Sequence, residues 1–372
     1  MSLYLLMEDA MSRVVLLLSG CVFLLSACAS PPKEPERFGV VETVKVEEKV
    51  DAKTGQVEIV KTIVEEKAER SVVDKGSDSL MAPQRVANFA QFFSYYDIGS
   101  DYSILASVYN QDSENGSDLW IYRTGKMRLT NTNYDHSSPS YSADNRYVYF
   151  VSYKGKKSLG QSNQDSYIWK TSATGNGGIT RIGSPAFSYA YPSESPNGEM
   201  ILYSSVELYG NSSYVWYMGK NGSLPTQLKQ GEEPQWITNE KIIFTAKDES
   251  TGLDTIWSCN IDGSMMTQII ADDKSNCLSP SISFDGKYIA YVKETSEVEN
   301  LSKDDPAYTD KIQETRDVYI FKVEDGLSQQ VTTNESRDDL PKWSQDGKYL
   351  YFRSSRGLGW NVWRLDTSFL SQ

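Results

Sequence analysis

A short pattern recurs five times between residues 139 and 352, and this repeat restricts the fold more than any other feature. Each copy predicts a short strand, a polar turn and an apolar strand. Three copies carry Asn-Gly or Asp-Gly in the turn. These pairs predict two-residue hairpin turns, because both turn positions require a positive φ. The copies read PSYSADNRYVYF from Pro139, PSESPNGEMILY from Pro192, PQWITNEKIIF from Pro234, PSISFDGKYIAY from Pro280 and PKWSQDGKYLYF from Pro341.

A second element follows each hairpin, an aliphatic residue next to an aromatic one, with a spacing of about 49 residues. A fourth strand often ends the unit, and four short strands in a unit of this length are typical of a propeller blade. The sequence therefore predicts an all-β, six-bladed β-propeller with four-stranded blades. The aromatic residues are expected to pack between blades. The six pairs are Leu119-Trp120, Ile168-Trp169, Val215-Trp216, Ile256-Trp257, Val318-Tyr319 and Val362-Trp363.

The first and last units are incomplete. In the first, Ser94 stands where proline is expected, and after Leu365 only seven residues remain for the last fourth strand. Residues near Met81 to Arg85 fall at the matching repeat position ahead of the first blade. We predict that they supply the outer strand of blade six and close the ring, which removes an exposed edge.

The best copy of the hairpin, Pro341-Lys342-Trp343-Ser344-Gln345-Asp346-Gly347-Lys348, resembles the TolB-like propeller family. The resemblance covers residues 83 to 366 and implies a six-bladed propeller. TolB proteins carry an α/β domain before the propeller. The stretch from Ala29 to Leu80 is too short, and too rich in valine and glutamate, for such a domain. The resemblance is therefore to the propeller alone, over residues 81–372.

The N-terminus reads as a secretion signal. Val14 to Leu25 is apolar, is too short to cross a bilayer as a helix, and follows Arg13. The next residues, Leu25-Ser26-Ala27-Cys28, resemble the lipobox of bacterial lipoproteins. This implies a signal peptide over 1–27 and palmitate or similar acyl chains on Cys28. An ordinary signal peptide containing a cysteine is the alternative, and translation starts at either Met1 or Met11.

By the same resemblance, Ala29 and Ser30 favour the outer membrane, with the rest of the chain facing the periplasm. Residues 28–80 then form a lipidated, charged tether. Its two valine- and glutamate-rich runs predict a β-hairpin over 40–64. Apolar residues alternate with others in each run, at Val44, Val46 and Val50 in the first and at Val57, Ile59 and Ile63 in the second. The alternative is a flexible spacer, because an isolated hairpin is marginal in water.

Charge and composition exclude several functions. The chain has 37 basic and 50 acidic side chains, a net charge of −13, which disfavours nucleic acid as a partner. His136 is its one histidine, so a multi-histidine metal site is excluded. No Gly-x-Ser-x-Gly, phosphate loop or His-Glu-x-x-His occurs. The sequence predicts neither an enzyme nor a metal or other cofactor.

The candidate binding residues come from two patterns. His136, Tyr189, Cys277 and Asp338 each precede a repeat proline by three, and we predict that they ring one mouth of the central channel. Two long loops, 153–165 with Lys156 and Lys157 and 294–316 with Tyr308, should emerge on the face that also carries the blade connections. That face is the predicted binding face, and tolerated surface insertions are the alternative.

Two cysteines remain after the leader, Cys259 and Cys277. An oxidising periplasm permits a disulfide between them, and the sequence leaves open whether they pair. The leading functional hypothesis is a lipid-anchored scaffold that binds another envelope protein. A propeller that binds glycan or peptidoglycan through exposed aromatics is the second hypothesis. A propeller hydrolase or lyase that uses channel carboxylates is the third.

Overall fold

The computed structural model describes residues 42–50, 57–65, 83–87, 93–109, 116–132, 134–153, 166–183, 188–206, 212–295, 316–333, 336–356 and 359–371. It is the predicted propeller: six antiparallel sheets of four strands follow one another along the chain. The described residues contain one short 3₁₀ helix, Ser368–Ser371, and no α-helix. The expected fold class is confirmed.

Each blade runs from an inner to an outer strand in chain order, except that blade 6 takes its outer strand from the start of the propeller. Blade 1 has β4 (Phe93–Ile98), β5 (Ile104–Tyr109), β6 (Ser117–Tyr122) and β7 (Lys126–Arg128). Blade 2 has β8 (Asp135–Tyr141), β9 (Tyr147–Tyr153), β10 (Ser166–Ser172) and β11 (Thr180–Ile182). Blade 3 has β12 (Ser188–Glu194), β13 (Met200–Val206), β14 (Ser213–Gly219) and β15 (Thr226–Gln230).

Blade 4 has β16 (Glu232–Trp236), β17 (Lys241–Lys247), β18 (Asp254–Asn260) and β19 (Thr267–Ile270). Blade 5 has β20 (Ser275–Ile282), β21 (Tyr288–Thr295), β22 (Arg316–Lys322) and β23 (Leu327–Gln330). Blade 6 has β24 (Asp338–Trp343), β25 (Tyr349–Ser354), β26 (Asn361–Asp366) and, as its fourth strand, β3 (Gln84–Arg85).

The strand β3 closes the ring as predicted. Arg85 pairs with Trp363 and Gln84 with Arg364, and the Val86 amide donates to the Val362 carbonyl at 3.0 Å. A strand from the beginning of the propeller thus completes the blade formed by its end. Without it, β26 would present a row of unpaired backbone groups to solvent.

Hydrogen bonds between inner strands cross all six blade junctions and make the ring a connected unit. Their donors are polar or aromatic side chains and backbone amides at the inner strands. From junction 6/1 onward they are Tyr96 Oη to the Leu340 carbonyl, Tyr141 N to Asp97 Oδ2, Ser140 Oγ to the Pro192 carbonyl, Trp236 Nε1 to the Ser193 carbonyl, Ser279 N to Glu233 Oε2 and Trp343 Nε1 to the Ser281 carbonyl.

The hairpin turns differ from the two-residue turns that the sequence predicts. Asn145, Gly198, Gly286 and Gly347 have a positive φ, but the residue before each does not. Instead, four residues form each loop, because the preceding serine hydroxyl organises it. That hydroxyl donates to the Asp or Asn side chain and accepts the first amide of the next strand. The four loops begin at Ser142, Ser195, Ser283 and Ser344.

The core consists of apolar clusters rather than one centre. Second and third strands contribute fully buried residues such as Val148, Ile201 and Phe352. The tryptophans of the repeat pack against these clusters, as the sequence predicts. The aromatic richness of the chain is therefore mostly a packing feature.

The cysteines that could have formed a disulfide are free and buried. Cys259 lies near the end of a third strand, opposite Ile242, at the tight-turn side of blade 4. Cys277 lies near the start of a first strand, opposite Lys293, at the side of the long loop of blade 5. Since the two thiols lie at opposite ends of their blades, they are not bonded, and burial raises the pKa of Cys277 to about 12.

Ahead of the propeller, β1 (Glu42–Val50) pairs with β2 (Val57–Glu65) in a two-stranded antiparallel sheet, with Val44 opposite Ile63. The rest of the leader and tether, including Cys28, lies outside the described residues. Within the described part of the chain, no helix is long and apolar enough to cross a membrane.

Candidate functional site

Every inner strand of the propeller contains a β-bulge at the repeat proline or its equivalent. In blades 2 to 6 the residue before the proline adopts a positive φ of 46–52°, a strained conformation for a residue with a side chain. These five residues are Ser138, Tyr191, Glu233, Ser279 and Leu340. In blade 1 the bulge spans Ser94 and Tyr95. Bulges re-aim side chains, and here they turn a ring of residues toward the propeller axis.

These bulges surround a cavity of about 220 Å³, which we call the channel-mouth pocket. The inner strands of five blades contribute to it, and Val292, Arg316 and Arg353 add side chains from second and third strands. Arg316 is the first residue of β22. The pocket therefore opens at the end of the propeller from which the loops between second and third strands emerge.

One wall of the pocket, from blades 5 and 6, carries three arginines. Arg353 forms a bidentate pair with Asp339, with Nε to Oδ1 at 2.7 Å and Nη2 to Oδ2 at 2.8 Å. It also donates to the Ser94 carbonyl at 2.7 Å, which ties blade 6 to blade 1. Arg316 pairs with Glu294. The bidentate pair of Arg353 with Asp339 fixes the geometry of the wall.

The third arginine, Arg337, is less well compensated. Its Nε lies 3.0 Å from Asp339 Oδ2, a carboxylate already engaged by Arg353, and makes no hydrogen bond with any described residue. Burial, together with Arg316 and Arg353, lowers the pKa of Arg337 despite the attraction of Asp339. The guanidinium also lies 5.7 Å from the Trp360 ring centroid. This wall therefore has more positive charge than its own carboxylates neutralise.

The opposite wall is acidic and aromatic. Glu233 accepts hydrogen bonds from Ser279 N at 2.6 Å and Ser279 Oγ at 2.9 Å, and burial raises its pKa. Tyr95 and Tyr191 meet edge to face, with ring centroids 5.7 Å apart. Burial raises the pKa of Tyr191 well above its usual value, so its hydroxyl stays protonated. The pocket thus combines a basic wall, a carboxyl group and tyrosine hydroxyls.

The four residues that we expected at the channel mouth lie elsewhere. His136, Tyr189, Cys277 and Asp338 are 0–4% exposed and none lines the pocket. Tyr189 and Cys277 belong to apolar clusters between blades. The prediction placed them one position off: the residues two before and one before the proline face the pocket, as Asp339 and Leu340 do. The bulge makes two adjacent residues share that orientation.

His136 lies in the inner strand β8 rather than in a loop. Its Nε2 is 2.8 Å from Thr132 Oγ1, and its ring meets Phe150 edge to face at 5.1 Å. Its Nδ1 has no hydrogen-bond partner among the described residues. Burial lowers the pKa of His136 to about 4, against the pull of Asp118 and Asp135. The imidazole is therefore neutral and enclosed at neutral pH.

Asp338 occupies the same repeat position in blade 6 and lies in a charged junction with blade 5. Arg356 Nη2 donates to Asp338 Oδ2 at 2.6 Å. Asp317 is close by, accepting from Thr332 Oγ1 and Gln330 Nε2. Burial, followed by the charge of Asp338, raises the pKa of Asp317 to about 7. Two carboxyl groups thus share one arginine at this junction.

The predicted loop residues Lys156, Lys157 and Tyr308 lie outside the described residues. The described residues hold no group of three or more His, Cys, Asp or Glu side chains arranged to bind a metal. The sequence patterns do not single out Arg337, Asp339, Arg353, Glu233 or the tyrosine pair. A usable signal was the residue immediately before each repeat proline, which lines the pocket in blades 3 to 6.

Comparison with known proteins gives limited sequence similarity and a clear fold similarity. No family model matches the chain. A "Protein TolB homolog" of Chlorobium chlorochromatii (strain CaD3) is 23% identical over 155 residues, which is 34% of this chain and 35% of that protein. An uncharacterized protein of Agrobacterium fabrum (strain C58) is 37% identical over 49 residues, 13% of this chain and 17% of its own length. The chain thus spans about a third or less of the curated relatives it matches.

Among solved structures, oligogalacturonate lyase from Vibrio parahaemolyticus superposes with a TM-score of 0.51 at 12% identity. The superposition covers 90% of this chain and all of that one. At this identity the similarity concerns the fold alone. Together with the six four-stranded blades, the TolB homologue confirms the resemblance to TolB-like propellers that the repeated hairpin motif predicts.

Proposed function

We propose that this TolB-like six-bladed β-propeller is a non-enzymatic scaffold of the bacterial cell envelope, and that it binds another protein at its channel-mouth face. The observation that carries the proposal is the channel-mouth pocket itself, a preformed concave site built from strained bulges on a cross-linked ring. Strain of this kind persists where the surrounding structure enforces it, and it clusters at binding sites.

The location rests on the leader sequence. We propose that residues 1–27 are removed, that Cys28 carries the acyl chains, and that 28–80 tether the propeller on the periplasmic side of the outer membrane. An anchor of two or more chains holds a protein stably on a membrane. A propeller held there presents a fixed site to other envelope proteins.

The glycan-binding alternative keeps only part of the feature that suggested it. It required tryptophans or tyrosines in an exposed groove. All eight tryptophans of the chain pack in or against the apolar clusters. Peptidoglycan binding would therefore depend on the tyrosines and the loops alone.

The enzyme alternative has a fold relative in the lyase, and that similarity concerns the fold alone. His136 is enclosed between blades, with a pKa of about 4. Asp338 is fully buried against Arg356 rather than exposed in the channel. Neither His136 nor Asp338 lines the pocket, and the carboxylates that do, Asp339 and Glu233, are bonded to Arg353 and Ser279. We therefore propose a binding role.

Site-specific crosslinking in intact cells tests the scaffold role. A photoreactive residue is placed at Tyr134, 39% exposed beside the loop into blade 2, and in a second strain at Phe284, 84% exposed in a tight turn of the opposite face. We expect protein adducts from position 134, identified by mass spectrometry, and far weaker ones from position 284. No adduct from position 134, or equal labelling from both faces, would overturn the proposal.

A further inference from the structure

The pocket has a charge pattern that points to a specific ligand group. Two carboxylates of the described residues, Asp339 and Glu294, pair with three arginines on the wall formed by blades 5 and 6. Arg337 and Arg353 share Asp339, and Arg353 makes the better hydrogen bonds to it. Arg337 is left with a close charge contact but without a hydrogen bond at Nε.

Arg337 has to share its carboxylate, Asp339, with Arg353. Its side chain is 23% exposed, and its guanidinium is close enough to Arg316 and Arg353 for both to lower its pKa. A planar guanidinium binds a carboxylate through two parallel hydrogen bonds, which gives direction as well as energy. A carboxylate entering the pocket would supply the missing partner.

The size of the pocket and its other walls restrict the choice of ligand further. A cavity of about 220 Å³ is smaller than the sites that hold drug-sized ligands, roughly 300–1,000 Å³. It suits one amino acid side chain better than a chain of sugar rings. Tyr95 and Tyr191 offer an aromatic surface for an aliphatic stem, and the hydroxyl of Tyr191 stays protonated. Glu233 is engaged by two hydrogen bonds from Ser279, from its backbone N and from Oγ.

We propose that the channel-mouth pocket is a receptor site for a single carboxylate of the partner protein, an Asp or Glu side chain or a chain terminus, with Arg337 as the residue that binds it. This inference rests on the proposed scaffold function, since it assigns the anchor group of that protein–protein contact. Anchor residues that fill a pocket dominate the energy of many interfaces.

The first experiment uses small probes with the purified propeller. The α-amide of N-acetylglutamate, which carries one carboxylate, and its neutral isostere, the α-amide of N-acetylglutamine, are titrated at low ionic strength, followed by calorimetry and by the shift in Tm. We expect binding of the carboxylate probe, at least tenfold weaker binding of the amide, and weakening of the carboxylate probe by salt. Equal binding of the two probes, or no binding of either, would overturn the proposal.

Variants place the binding at Arg337. R337Q should abolish binding of the carboxylate probe, and R337K should retain part of it, because lysine keeps the charge but not the fork. R146Q is the matched control, since Arg146 is 78% exposed on a tight turn of the opposite face. Unaltered circular dichroism and Tm show that R337Q is folded. Unchanged affinity in folded R337Q would refute the assignment.

Further measurements separate this inference from the proposed function. Galacturonate is titrated as another source of a carboxylate. If the pocket binds galacturonate ten times more tightly than the carboxylate probe, it is a site for acidic sugars, and the proposal is overturned. Crosslinking from position 134 is repeated in R337Q cells. Loss of the adduct supports the inference. Persistence of the adduct refutes the inference but leaves the scaffold function standing, whereas absence of any adduct in the parent strain refutes the scaffold function.

Discussion

His136 gives the propeller a built-in sensitivity to acid that can be calculated. The folded protein holds the pKa of this histidine near 4, whereas an unfolded chain has a histidine pKa of about 6.5. Between these values the unfolded state binds the extra proton, so folding becomes less favourable as the pH falls. The stabilising contribution is fully present above pH 6.5 and is lost as the pH falls toward 4.

The magnitude follows from the two pKa values. Linkage gives a loss of about 1.4 kcal/mol at pH 5.5 and about 2.5 kcal/mol at pH 4.5, relative to neutral pH. His136→Phe removes the titration and keeps a ring to pack against Phe150. At pH 7.5 the variant should be destabilised by about 1 kcal/mol, because it loses the contact with Thr132 Oγ1.

The assay is urea unfolding of both proteins at pH 7.5, 5.5 and 4.5, with free energies extrapolated to water. We expect the ranking to reverse, so that H136F is the more stable protein at pH 4.5. Tyr189→Phe is the matched control, because Tyr189 occupies the same repeat position in blade 3 and does not ionise in this range. If the free energies of unfolding of wild type and H136F differ by the same amount at all three pH values, the conclusion that His136 is buried and neutral is refuted.

Three further predictions follow from the same structure. Asp317→Asn should gain stability over wild type, on the order of 1–2 kcal/mol, as the pH rises from 5 to 8. The reason is that the wild type loses stability as the pH rises through the folded pKa of Asp317, about 7. A difference between the two proteins in urea unfolding that does not change with pH would contradict this prediction. Val86→Pro should destabilise the protein by about 1–3 kcal/mol more than Val86→Ala, because it removes the amide that donates to the Val362 carbonyl. Equal urea midpoints for the two variants would show that β3 contributes little to stability. Leu224→Gly should stabilise by about 0.5–1 kcal/mol, since Leu224 is 84% exposed with a φ of 50°; a Tm no higher than that of Leu224→Ala would argue against strain there.

The blades were predictable because each carries its own local signal. A proline, a polar turn and an aliphatic–aromatic pair recur in every complete unit, and each has a direct physical role. The closing strand was also predictable, since Arg85 lies at the repeat position that the truncated last unit lacks. The blade signals depend on residues close together in the chain, whereas the closing strand follows from the register of the repeat.

The site was not predictable in the same way. The repeat position three residues before the proline placed Asp338 at the channel mouth, but the bulge at Leu340 shifts the register, so Asp339 faces the pocket instead. A bulge depends on backbone geometry that the two-residue period does not reveal. The basic wall combines Arg316, Arg337 and Arg353, which occupy different positions within their blades and match no repeat.

The closing strand also sets the order in which the molecule can be made. During synthesis β3 is among the first propeller strands to leave the ribosome, and it stays unpaired until β26, among the last, has followed it. Blades 1 to 5 can each form as their own hairpins appear, but blade 6 cannot be completed on a nascent chain that is still missing its last strand. Closure of the ring therefore has to wait until β26 has been made, whether the other blades fold during synthesis or after it.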